Sequence, residues 1–164
     1  MKNLLCILAA IPLLLTGCVT PQQVVQPTSR VFSAPKEKVW PAIVSEIGLD
    51  YPVKAVEKDS GLITTEFVSV PAGYNNEGMS QWVLPPGGFL STWDGLRVTL
   101  SAVVEEVEPG KTQVNLRAHY EAFESNVSKS WIICQSNGNL ENQIFDKIAA
   151  RLNSQKIIEA SHQK

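Results

Sequence analysis

Between Leu96 and Ala122 the chain alternates apolar and polar residues with a period of two. Leu96, Val98, Leu100, Ala102 and Val104 are set against Arg97, Thr99, Ser101 and Glu105. After Pro109-Gly110, the even positions Val114, Leu116, Ala118, Tyr120 and Ala122 are set against Gln113, Asn115, Arg117, His119 and Glu121. Such alternation predicts two long strands, each with one dry and one wet face. A two-residue turn at Pro109-Gly110 would put Val104 opposite Asn115 and mix those faces. An extra residue at Glu105-Glu106, or a longer turn, restores Val104 opposite Val114, so a β-bulge is expected there.

Elsewhere the period is helical. Val39, Trp40, Ile43, Val44 and Ile47 form one stripe, predicting a helix from Ala34 to Ile47 with Ser33 as N-cap, Pro35 in its first turn and Gly48 as its stop. Pro41 should bend that helix or delay its regular start. A second stripe, Leu140, Ile144, Ile148 and Leu152 with Phe145 and Ala149, follows the breakers Ser136-Asn137-Gly138-Asn139 and predicts a helix to about Asn153. Arg30–Phe32, Val53–Glu57 and Leu62–Val68 read as strands, the last two joined by the turn Lys58-Asp59-Ser60-Gly61, with Ile63, Thr65 and Phe67 on one face. The expected fold is α+β: a single antiparallel sheet of four to five strands with two helices packed on one face, in the order β-α-β-β-β-β-α.

The N-terminus carries an address. Lys2 precedes the apolar run Leu4–Leu15, which closes on Leu15-Thr16-Gly17-Cys18. This is the plan of a secretory signal peptide over residues 1–17. The run is shorter than the ~20 residues a spanning helix needs, and Pro12 interrupts it. The closing tetrapeptide resembles the bacterial lipobox, which implies a lipidated Cys18 as the first mature residue and anchoring by several acyl chains. In lipoproteins an aspartate after the cysteine retains the protein at the inner membrane. Val19 stands there instead, which implies an outer-membrane address with the domain facing the periplasm. Residues 18–29 are the lipidated cysteine and an uncharged tether with roughly 20 Å of typical reach. The domain then spans 30–155 and a tail 156–164.

The order of elements, together with Ser33-Ala34-Pro35…Val39-Trp40, Asp59-Ser60-Gly61-Leu62-Ile63-Thr64-Thr65 and the closing amphipathic helix, resembles the helix-grip domains of the BamC lipoproteins of the outer-membrane β-barrel assembly machinery. That resemblance implies a helix-grip fold and a place among envelope proteins. A START-like helix-grip, folded around a lipid cavity, is the rival resemblance.

Charge excludes one class of partner. The chain holds 14 Lys and Arg against 16 Asp and Glu, and loss of Lys2 leaves 13 against 16, a formal −3. Nucleic-acid binding has no electrostatic support in such a chain. Of three cysteines, Cys6 leaves with the leader and Cys18 is acylated, so Cys134 has no partner for a disulfide.

Catalytic and metal-binding patterns are absent from the sequence, and no cofactor is expected beyond the lipid on Cys18. His119 and His162 have no ligand spacing around them, Cys134 reads as a small buried hydrophobe, and Glu141 and Asp146 as solvated charges. The segment Val70–Trp93 stands out, with Tyr74, Trp82, Phe89 and Trp93 beside Pro85-Pro86 and Gly87-Gly88. Those aromatics either cover an open end of the core or bind an envelope protein, a glycan or the membrane interface. The leading expectation is a non-enzymatic protein-binding or assembly module. The alternative is a carrier or sensor of an apolar ligand, with a cavity lined by Leu100, Leu116, Phe67 and Ile148.

Overall fold

The computed structural model describes residues 28–70, 76–84, 86 and 91–162. The leader, Cys18, the tether up to residue 27, Tyr74 and Phe89 lie outside the described residues, whereas Thr28 and Ser29, expected in the tether, belong to the first strand.

Alternation sets the centre of the molecule. Strands β6 (Trp93–Glu108) and β7 (Lys111–Glu124) form one long antiparallel hairpin. Leu96 faces Ala122 and Val104 faces Val114, so dry positions meet dry positions along its length. Agreement of faces requires one extra residue before the turn. The register shifts between Glu106 and Glu108, which makes Val107 the bulged residue, next to the site expected from parity. Gly110 closes the turn at φ 76°, where nothing crowds its α-carbon, so glycine serves conformation there and not space.

Both outer edges of this hairpin are covered by pairs of short strands. β3 (Leu62–Thr65) and β4 (Val68–Val70) share the β6 edge, and β1 (Thr28–Phe32) and β8 (Ser130–Ser136) share the β7 edge. β2 (Val53–Glu57) lies outside β3, and β5 (Val83–Leu84) outside β8. The result is an eight-stranded antiparallel sheet with three helices, which overturns the expected four to five strands and two helices, although the α+β class is similar. The alternation rule missed the short pieces for a physical reason. β8 contains the unbroken apolar run Trp131–Cys134 because it carries apolar side chains on both faces.

Leu62–Val70 was expected as one strand to Val68 and is two. Ile63 pairs with Ala102 but Val68 pairs with Val98, so one residue is inserted at Glu66-Phe67 and the parity of the inward face reverses. Phe67 therefore leaves the face of Ile63 and Thr65 and lies on the outer surface of the sheet. The break would strand an amide, and Thr65 supplies the remedy: its Oγ1 accepts the Leu100 N–H at 2.9 Å. Gly61 fixes the approach of this strand. It adopts φ 71°, and a β-carbon on it would stand 2.2 Å from the Val104 carbonyl oxygen.

The helices α1 (Lys36–Asp50) and α3 (Asn139–His162) pack antiparallel on the dry face, with ion pairs Lys38–Glu159, Glu46–Arg151 and Asp50–Lys147 along the seam. Val39, Trp40, Ile43 and Ile47 of α1 and Ile144, Phe145, Ile148 and Leu152 of α3 meet the even positions of β6 and β7 in one core. Fully burying each such aliphatic side chain contributes about 1.5–3 kcal/mol. The first helix starts two residues later than expected, with Pro35 and not Ser33 at its cap, and passes through Gly48 to end at Asp50. Pro41 lies inside the helix on its exposed side. The last helix continues past Asn153 through the expected tail. The short α2 (Asn76–Ser80) belongs to the segment read as loop.

Glu124 organises the far end of the hairpin. Its carboxylate accepts the Ser128, Val127 and Asn126 amides, the Ser128 hydroxyl and the Thr92 amide. Those bonds, the Ser128 amide foremost, hold its carboxyl down at about 2. A carboxyl depressed in the folded state contributes stability above its unfolded pKa and loses it as pH falls. Glu124→Gln is expected to flatten the pH dependence of urea stability between about pH 4.5 and pH 2; an acid limb as steep as in the parent chain would refute this. Gly61→Ala should lower stability by more than about 2 kcal/mol, through left-handed strain plus the clash with Val104, as read by urea denaturation. A change within about 0.5 kcal/mol would show that the approach is not tight.

Candidate functional site

Where the dry face runs out beyond the end of α1, a cavity of about 320 Å³ opens. Asp50 and Tyr51 at the end of α1, Val68–Val70 of β4, Trp82, Tyr120 of β7 and Leu140, Gln143, Ile144 and Lys147 of α3 line it. Its volume is at the lower end of small-molecule pockets.

Two of its lining residues hold polar atoms without partners. The Tyr120 hydroxyl and the Trp82 Nε1 are buried and make no hydrogen bond among the described residues. Alternation placed Tyr120 on the inward face, and it is 0% exposed there. Leaving a buried donor unmet costs about 1–3 kcal/mol, and such groups are few in native proteins. Burial first, then the nearby Glu141 carboxylate, raises the Tyr120 hydroxyl far above the ordinary range, so it is a protonated donor at physiological pH.

The wall that carries Trp82 is held by the turn before α3. Asn137 N–H donates to the Trp82 carbonyl at 3.1 Å, Asn137 Nδ2 to the Ser80 carbonyl at 2.8 Å and Asn139 Nδ2 to the Gln81 carbonyl at 2.9 Å. Glu141, expected as a solvated charge, is 2% exposed. Its carboxylate accepts the Ala118 amide at 3.3 Å and the Ser136 hydroxyl at 3.0 Å, filling the break between β1 and β8. At the mouth, Lys147 pairs with Asp50 at 3.3 Å.

Of the four aromatic residues singled out as contacts, Trp82 and Trp93 are among the described residues. Trp93 opens β6 and is 6% exposed in the core, and Trp82 is half-buried on the cavity wall. The expected lining of a ligand cavity is also displaced. Leu100, Leu116 and Ile148 are locked in the core, and Phe67 is on the opposite face. Cys134 is buried among apolar residues, and burial pushes its thiol up to about 11. It is therefore a protonated thiol at neutral pH, poorly suited to nucleophilic attack. His119 lies on the outer face, 3.3 Å from Glu121, and Asp146 pairs with Arg30 at 2.6 Å. His162 closes α3. Among the described residues no group of three His, Cys, Asp or Glu stands close enough to hold a metal, and no helix is long and apolar enough to cross a membrane.

The helix-free face carries a second cluster that the sequence did not disclose. The Arg97 guanidinium lies between the rings of Phe67 and Trp131, at 4.4 and 4.0 Å, and pairs with Glu121. Trp131 rests over Gly95, 3.6 Å from where a β-carbon would stand, and against Phe123. Phe67, Trp131 and Ile133 are 41, 40 and 67% exposed there. No model of a known protein family matches this chain, and neither does any curated protein sequence.

Proposed function

We propose that this chain is a bacterial lipoprotein, held at the outer membrane by acylated Cys18 with its domain in the periplasm, and that the domain is a non-enzymatic binding module that takes a small apolar ligand between β4, Trp82 and α3. The observation that carries the reading is the pair of unmet donors, Tyr120 and Trp82, on the wall of an otherwise largely apolar cavity. Sites of this kind combine apolar walls with a few polar groups that fix orientation. The short leader ending in Leu15-Thr16-Gly17-Cys18 supports the anchor. Val70→Phe, which puts a ring at the cavity wall, should weaken uptake of a fluorescent apolar probe at least ~10-fold while the melting temperature stays within a few degrees. Unchanged uptake would exclude the cavity as the site. The anchor has its own readout, since Cys18→Ser should move the chain from the membrane pellet to the soluble fraction, and retention in the pellet would refute acylation there.

A second reading, in which the domain docks an envelope protein, is favoured by the exposed cluster of Phe67, Trp131 and Ile133. Contiguous apolar surface of this kind is characteristic of interaction sites. The BamC-like residues Ser33–Trp40 and Asp59–Thr65 belong with this reading. Photocrosslinking in intact cells from position 133 should capture one defined envelope protein, and Trp131→Ala should abolish that product. A ladder of unrelated products that Trp131→Ala leaves unchanged would sink this reading.

A further inference from the structure

We infer that the ligand of the cavity is an uncharged carbonyl compound, an ester or amide of a medium-length aliphatic chain, whose oxygen accepts from the Tyr120 hydroxyl and Trp82 Nε1. The inference rests on the cavity reading above and adds the chemistry of the ligand's polar end.

Three observations lead to it. The Trp82 indole N–H can only donate, so whatever satisfies it is an acceptor. A carbonyl oxygen, with two lone pairs, can answer one donor or both. Tyr120 is held protonated by its burial and by Glu141, so it too offers a proton.

The charges around the cavity then choose between a neutral acceptor and an anion. Glu141 is buried close enough to Tyr120 to act on its hydroxyl, and Asp50 lines the mouth. Lys147, a cation on the lining, is already paired with Asp50. The Asp50–Lys147 pair offsets itself, so a carboxylate entering here would give up its water near the buried Glu141 and meet no unpaired cation among the described lining residues. Burying a charge without a partner is far more costly than burying a carbonyl that receives hydrogen bonds. A cationic head, which can only donate, would leave the Trp82 indole N–H unanswered.

Size and wall chemistry set the rest of the molecule. At roughly 30 Å³ per water-sized group, the volume accommodates about ten heavy atoms. Val68, Val70, Leu140 and Ile144 present aliphatic surface to them. An acyl ester or amide of that size fits the cavity. A full phospholipid does not.

The test compares methyl octanoate, octanoate and decane, three probes of similar size, by calorimetric titration of the full chain carrying Cys18→Ser. The ester should bind at least ~10-fold more tightly than either the anion or the alkane, tenfold being the usual scale of one satisfied hydrogen bond in a buried site. Tyr120→Phe should narrow the gap between ester and alkane without lowering the melting temperature, because its hydroxyl meets no partner among the described residues of the ligand-free domain. Trp82→Phe is the second variant, and it should reduce the ester preference while keeping alkane binding. Equal affinity for ester and alkane, or tightest binding of octanoate, would overturn the inference and leave the cavity reading standing. If none of the three binds and Val70→Phe changes nothing, the cavity reading falls and this inference with it.

Discussion

Everything in this domain hangs from the register of one hairpin. β6 and β7 place ten even-numbered side chains on the helix side, and the bulge at Val107 keeps those two sets opposite each other. A slip of one residue would turn that whole set to solvent. The cost of such a slip is many times the free energy of any single bond in the molecule, since each side chain concerned is a core residue. The helices, the edge strands and the cavity are positioned by this one alignment.

The same hairpin creates the problem the edges must solve. Leu100 and Ala118 face each other across the ladder, and both of their amides point outward. At this line the covering strands change on both sides, from β3 to β4 and from β1 to β8. Neither amide meets a backbone carbonyl across the edge. Thr65 Oγ1 takes one and Glu141 Oε1 the other. Two side chains thus stand in for missing strand where a buried donor would otherwise go unmet. A split edge lets the sheet be five strands wide at either end without any outer strand following the full length of the hairpin.

Sequence reading succeeded where one period persisted and failed where it was short or mixed. The Leu96–Ala122 alternation and the Leu140–Leu152 stripe gave the hairpin and the last helix. β5 is two residues long, too short for any period, and Trp131–Cys134 is apolar on both faces. The reversal at Glu66-Phe67 is set by pairing with β6, which no local pattern carries. The site was legible in its materials only. Trp82 was singled out and Tyr120 was placed inward, but that both lack partners is a property of what surrounds them in space. Glu141 shows the converse error, because a charged residue in the first turn of a helix reads as solvated until the strand break it fills is seen.

The turn Ser136–Asn139 does two jobs with the same few residues. Ser136 and Asn137 cap the start of α3 through the Gly138 and Asn139 amides, while Asn137 and Asn139 clamp the backbone at Ser80–Trp82 that forms the cavity wall. A family drifting from this chain toward another ligand has little freedom on that side, because each change there also unsettles the beginning of a helix. Divergence in what the domain carries should be written instead in β4 and in the end of α1, whose partly buried Val68, Val70 and Tyr51 shape the cavity at the margin of the core.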